Sequence, residues 1–162
     1  MDNIRPMTAD DAGRVAEIHV FGQRFAYKGI VSDEHLFKQT TVHERTEYFR
    51  DTASTIEGYV FDDGIIKGFL TLRLCGDEDK KGALELYRIF VDPLMHGGGI
   101  GRQLLNFFEQ TAKQRDFSYV CLWMAEGNPA GTFYEKMGYG LDGGREFSKE
   151  LGATMVRYSK EM

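Results

Sequence analysis

The sequence predicts an α+β fold with a mixed, mostly antiparallel sheet. Apolar runs at residues 56–61 and 65–74 flank Asp62-Asp63-Gly64, a strong hairpin signal. A strand–helix–strand pattern over residues 83–124 requires one parallel crossover. The chain has 162 residues, of which 42% are hydrophobic and 28% charged, as in ordinary globular proteins. We therefore expect a single domain over residues 1–162.

The N-terminal third is predicted to be mainly helical. Thr8 precedes Asp10 and Asp11, as at the start of a helix, and Val15 and Ile18 lie on one helical face beyond them. The predicted elements are a strand at 4–7, a helix from Thr8 to about Phe25, a loop at 27–31 and short helices at 32–37 and 41–49.

The remaining chain alternates strands and helices. Asp92-Pro93 ends one strand because proline cannot extend a central strand, and Gly138 ends a helix. The predicted strands are 56–61, 65–74, 83–91, 119–124, 139–141 and 153–158, the last two joined by a loop at 142–145. Helices are predicted at 100–112, from apolar residues at helical spacing, and from Asn128 to Gly138.

Charge and cysteine usage argue against several classes of protein and of bound group. A net charge of −5 disfavours nucleic-acid binding and is compatible with a cationic substrate such as an amine. The chain shows no signal peptide and no apolar run of membrane-spanning length, so we expect a cytoplasmic protein with no membrane partner. Cys75 and Cys121 form no CxxC pair and no metal-like cluster with the histidines, which predicts buried free thiols and no bound metal.

The turn at residues 96–101 is the most informative segment. It follows a strand-like run and opens a helix-like one, so several backbone N–H groups remain unpaired at the positive end of a helix dipole. Gly97, Gly98, Gly99 and Gly101 lack Cβ atoms, which lets the backbone approach a ligand closely. The turn therefore predicts a phosphate or pyrophosphate site.

Other glycine motifs fit this turn poorly. The spacing fails the dinucleotide pattern GxGxxG, and the nucleoside-triphosphate pattern GxxxxGK[ST] is absent. His96 to Gly99 match the HGGG string of some esterases, but the chain has no GxSxG nucleophile segment. A glycine-rich turn without a ligand remains an alternative, which the strand and helix on either side disfavour.

Two blocks together resemble one family. His96-Gly97-Gly98-Gly99-Ile100-Gly101, with Tyr87 to Pro93 before it, closely resembles the acetyl-CoA motif of the GCN5-related N-acetyltransferases, the GNAT superfamily. The block from Asn128 to Tyr139 resembles that family's N…A..FYEK.GF segment. Both occur in the family order and cover roughly residues 83–141, whereas the N-terminal third resembles the family only in element order. The first motif position, usually glutamine or arginine, is His96 here.

The resemblance implies an acetyl-CoA site between splayed parallel strands, with helices on both faces of the sheet. Backbone amides from Gly97 to Arg102 would hold the pyrophosphate, and Ile89 to Val91 would pair with the pantetheine arm. Asn128 would bind the cofactor or a bridging water, act as a plain helix cap, or do both. The implied cofactor-binding residues are Ile89, Phe90, Val91, His96, Gly97, Gly98, Gly99, Ile100, Gly101, Arg102, Asn128 and Tyr134.

The resemblance also implies direct acetyl transfer to a primary amine, with Tyr134 as the general acid. A tyrosine, with an ordinary pKa of about 10, stays protonated at neutral pH and can donate to a leaving thiolate. The alternative is a packed helix aromatic. Phe133 and Met137 share the i, i+4 core face, so we expect Tyr134 to point elsewhere.

The base and the acceptor site are less defined by the sequence. Some family members carry a catalytic glutamate at the position of Glu85, but a solvated carboxylate at a strand end is an equal alternative. Phe25 and Tyr27 are expected to contact the acceptor, and His19 and His43 to be structural or exposed. Further candidates near the acceptor are Asp33, Glu34, Asp142 and Arg145.

The expected function is therefore an acetyl-CoA-dependent N-acetyltransferase acting on a small-molecule or peptide amine. A non-catalytic module that binds acyl-CoA as a regulator or sensor is the alternative, and a small esterase is disfavoured by the missing nucleophile segment. Dimerisation is common in the family, although no feature of this sequence shows a homodimer. The fold does not determine the acceptor.

Overall fold

A seven-stranded sheet organises residues 2–162, the part of the chain that the computed structural model describes. The strands are β1 (Ile4–Pro6), β2 (Glu57–Asp62), β3 (Ile66–Leu74), β4 (Leu84–Val91), β5 (Tyr119–Ala125), β6 (Gly140–Ser148) and β7 (Ala153–Glu161). The helices are α1 (Ala12–Tyr27), α2 (Val42–Thr52), α3 (Ile100–Gln114) and α4 (Gly131–Lys136). The strand order is β1-β2-β3-β4-β5-β7-β6, and β4–β5 is the parallel pair. The predicted α+β fold is confirmed.

Helices cover both faces of the sheet. Neighbouring residues of β3 point to opposite faces, and Phe69 packs in the cluster that contains α1 while Leu70 packs in the cluster that contains α3. Gly22 allows α1 to approach β4, because a Cβ atom there would lie 2.7 Å from Phe90. This close approach brings the C-terminal end of α1 beside the middle of the sheet.

The parallel strands separate towards their C-terminal ends. β4 pairs with β5 only at Leu84–Val120 and Glu85–Cys121, and the two strands have no further paired residues beyond that point. β5 instead continues in register with β7 through Ala125. The predicted splay of β4 and β5 is confirmed, and it opens a gap in the sheet beside residues 86–91.

The N-terminal helices differ from their predicted bounds by a few residues. Asp11, whose carboxylate accepts a 2.8 Å hydrogen bond from the Thr8 amide, ends a short turn before α1. The helix predicted at 32–37 is a single wide turn, His35–Gln39, closed by the Thr40 amide on the His35 carbonyl. The helix predicted at 41–49 is α2, which Thr41 caps by accepting a hydrogen bond from the Glu44 amide.

The last strands correct the sequence prediction. Residues 142–145, predicted as a loop, lie inside β6, where the pairing with β7 shifts register between Leu141 and Arg145. Gly143 has a φ of +92°, a conformation that glycine adopts readily and that accommodates the irregularity. The turn between the strands lies at residues 149–152, and β7 extends to Glu161.

Three smaller observations complete the fold. α4 begins at Gly131, and Asn128 holds the preceding turn by accepting a 3.0 Å hydrogen bond from the Ala130 amide. Cys75 and Cys121 are buried free thiols, as predicted. Within residues 2–162, no helix combines the length and apolar character needed to cross a membrane.

Candidate functional site

A cavity of ≈ 680 Å³ lies at the gap between β4 and β5. It reaches from the C-terminal end of α1 to the glycine turn and to α4. The predicted residues that line it are Phe25, Tyr27, Ile89, Phe90, Val91, His96, Gly97, Gly99, Ile100, Gly101, Arg102, Asn128 and Tyr134. Gly98 and Glu85 do not line it. Residues distant in the sequence thus meet at one place.

The glycine turn presents free backbone amides to this cavity. Gly97 and Gly99 have φ values of +88° and +74°, conformations that non-glycine residues rarely adopt. The Gln103 amide bonds the Gly99 carbonyl at 3.0 Å, so the amides of residues 100–102 precede the first backbone hydrogen bond of α3. A Cβ atom at Gly97 or Gly99 would meet no other atom within 4 Å, so the space beside the turn is open. These features fit a pyrophosphate group.

Asp92 fixes the start of this turn. Its carboxylate accepts a 2.9 Å hydrogen bond from the Leu94 amide and forms an ion pair with Arg14 of α1. Burial alone would raise the pKa of Asp92, but the Leu94 amide and the Arg14 guanidinium hold that pKa below its usual value. The end of β4 is thereby tied to α1.

His96 lies at the mouth of the cavity. Its ring is exposed, and its Nε2 atom lies 3.3 Å from the Val91 carbonyl oxygen. Its ring centroid is 5.1 Å from that of Phe25, in an edge-to-face arrangement. The side chain that replaces the usual glutamine or arginine therefore contacts protein groups on both sides of the mouth.

Tyr134 both lines the cavity and belongs to the hydrophobic core. It is 7% exposed, and its ring centroid lies 5.9 Å from that of Tyr139. The expectation that Phe133 and Met137 leave Tyr134 outside the core is wrong: Phe133 and Met137 are only partly buried, and Tyr134 is the buried residue of the three. Burial raises the pKa of Tyr134, so its phenol stays protonated at neutral pH.

Glu85 lies outside the cavity wall. It is 3% exposed, which excludes the solvated strand-end interpretation. Its carboxylate accepts hydrogen bonds of 2.7 and 3.2 Å from Nε and Nη2 of Arg73, its partner across β3 and β4. The structure therefore does not bring the predicted base to the cavity.

Of the predicted acceptor-contacting residues, only two line the cavity. Phe25 is 65% exposed at the mouth, whereas Tyr27 is buried. The other four are not part of the cavity wall: Asp33 is exposed, and Glu34, Asp142 and Arg145 form ion pairs with Lys38, Arg157 and Glu126.

The two histidines have the predicted structural or exposed roles. His19 packs against the rings of Phe49, Phe69 and Phe90, and burial lowers its pKa to about 3, so it is neutral. His43 is exposed on α2.

Sequence reasoning missed several residues of the cavity wall, among them Tyr87, Arg88 and Trp123. The Trp123 indole donates a 3.0 Å hydrogen bond to Asp77. Arg88 carried a usable signal, because it is a cation in a strand whose other residues from Leu86 to Val91 are apolar or aromatic.

A family model and a curated relative both match part of this chain. The family model described as an acetyltransferase (GNAT) domain matches residues 55–140. The uncharacterized N-acetyltransferase MJ1207 of Methanocaldococcus jannaschii is 39% identical over 62 residues, which cover 38% of this chain and 27% of that protein. The chain thus spans about a quarter of the length of this curated relative.

Two solved structures share the fold. The PaiA N-acetyltransferase of Thermoplasma acidophilum, in complex with coenzyme A, superposes with a TM-score of 0.71 at 22% identity over 98% of each chain. The YncA structure of Salmonella typhimurium, a putative acetyltransferase with its cofactor acetyl-CoA, gives a TM-score of 0.68 at 14% identity over 98% of this chain and 92% of that one.

Proposed function

The chain belongs to the GNAT acetyltransferase family, and we propose that it transfers an acetyl group from acetyl-CoA to a primary amine of a small molecule or peptide. One observation carries this proposal. A single cavity, at the gap between β4 and β5, connects the free amides at the start of α3 with the protonated phenol of Tyr134. The cavity thus joins an anion-binding turn to a proton donor.

The residues of this chain that would hold acetyl-CoA are the predicted ones. Amides from Gly97 to Arg102 would bind the pyrophosphate, and the unpaired backbone of β4 at Ile89 to Val91 would bind the pantetheine amides. When bound, acetyl-CoA supplies an acetyl thioester, whose carbonyl carbon an amine can attack. The free amides of the turn and the absence of β5 pairing beyond Glu85 support this assignment.

Tyr134 serves as the general acid. As the nitrogen–carbon bond forms and the carbon–sulfur bond breaks, the phenol donates its proton to the departing sulfur. The attacking amine must be neutral, and once it is bonded to the acetyl carbon its nitrogen gives up one proton, which restores the Tyr134 phenol directly or through water, so that the products are the amide and the thiol of coenzyme A. Two observations support this role: burial keeps Tyr134 protonated before the step, and Tyr134 lines the cavity.

The cavity wall favours direct transfer over an acetyl-enzyme intermediate. Among the described residues, no serine or cysteine side chain lines the cavity. Cys75 and Cys121 are buried elsewhere, and burial raises the pKa of both thiols, so both remain protonated. Neither thiol is suited to accept the acetyl group.

Glu85 remains the predicted base, but its carboxylate forms an ion pair with Arg73, which argues against this role. One further observation favours the non-catalytic alternative: within residues 2–162 no aspartate or glutamate lines the cavity. A chain that binds acyl-CoA but lacks a base would act as a sensor.

Calorimetry with acetyl-CoA, followed by an assay of free-thiol release over a broad amine panel, separates these functions. We expect acetyl-CoA binding and amine-dependent thiol release, with the acetylated product identified by mass spectrometry. Binding without release across the panel would favour the sensor. Absence of acetyl-CoA binding would overturn both functions.

A further inference from the structure

We infer that Arg88 binds a carboxylate of the acceptor, so that the preferred substrates are small amines that also carry a carboxylate, such as free amino acids. The inference rests on the proposed acetyl transfer and names its substrate class. Arg88 is one of the residues that line the cavity, and within residues 2–162 its charge has no anionic partner.

Arg88 lacks an anionic partner within the described part of the chain. No aspartate or glutamate lies within ion-pairing distance of it, whereas the neighbouring Arg73 is neutralised by Glu85. Its Nη1 atom is buried without a hydrogen bond, and its Nη2 atom donates one long bond, 3.3 Å, to the Tyr48 hydroxyl. Arg88 is half-buried, and cations that are partly removed from water are ordinarily paired, so this guanidinium is suited to an anion from outside the chain.

Aromatic rings hold the guanidinium in place. Its central carbon lies 4.3 Å from the ring centroid of Tyr87, 5.4 Å from that of Tyr48 and 5.8 Å from that of Phe49. These contacts partly stabilise the charge and limit the movement of the guanidinium. A planar guanidinium can bind both oxygens of a carboxylate at once.

A second cation strengthens the local field. Arg45 on α2 is half-buried, lies 5.7 Å from the Tyr48 ring centroid and has no carboxylate within ion-pairing distance among residues 2–162. Two unneutralised arginines therefore flank Tyr48 in a protein whose net charge is −5. This concentration of positive charge beside the cavity favours an anionic group over a second ammonium group.

The position of Arg88 suits the acceptor better than the cofactor. The pyrophosphate site is the glycine turn, beyond the C-terminal end of β4, whereas Arg88 contacts α2 on the face of the sheet that α1 also covers. Arg88 directly precedes Ile89, where the thioester arm would pair with β4. A carboxylate on Arg88 would therefore hold its own amine close to the reacting carbonyl carbon, as an α-amino acid requires. Tyr27, Tyr87 and Trp123 in the same cavity wall suit an apolar side chain.

Matched acceptor pairs test this inference. The pairs are phenylalanine with phenethylamine, leucine with isopentylamine, and methionine with 3-(methylthio)propylamine, so that each pair differs only in the carboxylate. Two quantities are measured: kcat/KM for thiol release, and calorimetric affinity for protein saturated with coenzyme A, which needs no turnover. We expect at least one amino acid to exceed its amine by about tenfold or more in both.

Arg88→Met and Arg88→Lys are the informative variants, and Arg50→Met, at an exposed arginine of α2, is the matched control. Arg88→Met should lower kcat/KM and affinity for the amino acid about tenfold to a hundredfold, because one charge-assisted pair is lost. For the matching amine, both quantities should stay within about twofold of wild type. Arg88→Lys keeps the charge but loses the bidentate contact, so its kcat/KM and affinity for the amino acid should lie between those of wild type and Arg88→Met. Acetyl-CoA affinity and melting temperature establish that each variant is folded. If Arg88→Met does not fold, the role of Arg88 is tested by Arg88→Lys and by competition between benzoate and the amino acid for the wild-type protein.

The outcomes for the two proposals are separable. Three results would overturn the role of Arg88. The first is a kcat/KM and affinity for the amines that equal or exceed those for the amino acids, and the second is an equal loss for both members of a pair in Arg88→Met. The third is that no amino acid binds. Turnover without carboxylate preference would overturn it and leave acetyl transfer intact. Carboxylate-selective binding that Arg88→Met abolishes, without any thiol release, would support the Arg88 site and overturn acetyl transfer.

Discussion

The ring of Phe25 at the end of α1 stands edge-on to the ring of His96 in the glycine turn, with centroids 5.1 Å apart and planes at 84°. This contact links the element expected to contact the acceptor with the turn expected to hold the cofactor. Both residues line the mouth of one cavity. The position usually taken by glutamine or arginine in this family therefore carries a side chain that packs across the mouth.

His96→Arg should strengthen acetyl-CoA binding by about tenfold. The His96 ring lies against Phe25 and the Val91 carbonyl oxygen, whereas an arginine at this position can pair with a bound pyrophosphate through two charge-assisted hydrogen bonds. Calorimetric titration with acetyl-CoA measures the change, and His43→Arg adds the same charge on the exposed face of α2 as a control. An unchanged affinity in His96→Arg would show that position 96 does not reach the cofactor.

Gly99→Ala should reduce both stability and acetyl-CoA affinity. Gly99 has a φ of +74°, and a Cβ atom in that conformation costs about 1–2 kcal/mol and would enter the space beside the free amides. Gly143→Ala, at a φ of +92° in β6, imposes similar strain away from the cavity. Melting temperatures should fall in both variants, and affinity in Gly99→Ala alone. Equal affinities in the two variants would argue against the turn as the binding site.

Asp92→Asn should weaken the dependence of stability on acidic pH. The pKa of Asp92 is lower in the folded chain than its unfolded value of about 3.9. Its ionised form therefore stabilises the fold fully above the unfolded pKa, and this contribution is lost as pH falls through the folded pKa. Denaturant unfolding between about pH 6 and pH 2 should give a shallower slope for Asp92→Asn than for Asp10→Asn, at an exposed carboxylate. Parallel curves for the two variants would contradict this.

Glu85→Gln should lower the free energy of unfolding by about 1–3 kcal/mol, because it removes the carboxylate that binds Arg73 from a buried position. The base role predicts in addition a fall of about a hundredfold in kcat and the loss of the acidic limb of the kcat/KM profile. Arg73→Gln breaks the same ion pair and keeps the carboxylate. If both variants lose stability and neither loses turnover, Glu85 is a structural residue.

The glycine turn could be predicted because its signal is local, whereas the splayed strands were predicted from the resemblance to the family. Four glycines between a strand pattern and a helix pattern specify a turn with free amides wherever the rest of the chain lies. The paired blocks at residues 96–101 and 128–139 then specified which strands border the site. The structure places every residue of the turn except Gly98, together with Asn128 and Tyr134 of the second block, around one cavity.

The missed features depend on register and bulges, which residue patterns do not determine. Asp142-Gly143-Gly144-Arg145 has the composition of a turn but forms an irregularity within β6, where Asp142 binds the buried Arg157 across the pair of strands. The pairing of Arg73 opposite Glu85 follows a register shift between Thr71 and Leu72. Unless that register is known, the sequence does not reveal that Glu85 pairs with Arg73 or that Arg88 lacks a carboxylate partner among residues 2–162.

The rate of coenzyme A release by Tyr134→Phe, relative to Tyr139→Phe, tests the central claim most directly. The two tyrosines are buried neighbours, and only Tyr134 lines the cavity. Removing the Tyr134 hydroxyl should lower kcat about a hundredfold or more and leave acetyl-CoA affinity nearly unchanged, whereas Tyr139→Phe should keep kcat within a few-fold. Wild-type turnover in a folded Tyr134→Phe variant would contradict the assignment of this cavity as the site of acetyl transfer with Tyr134 as its acid.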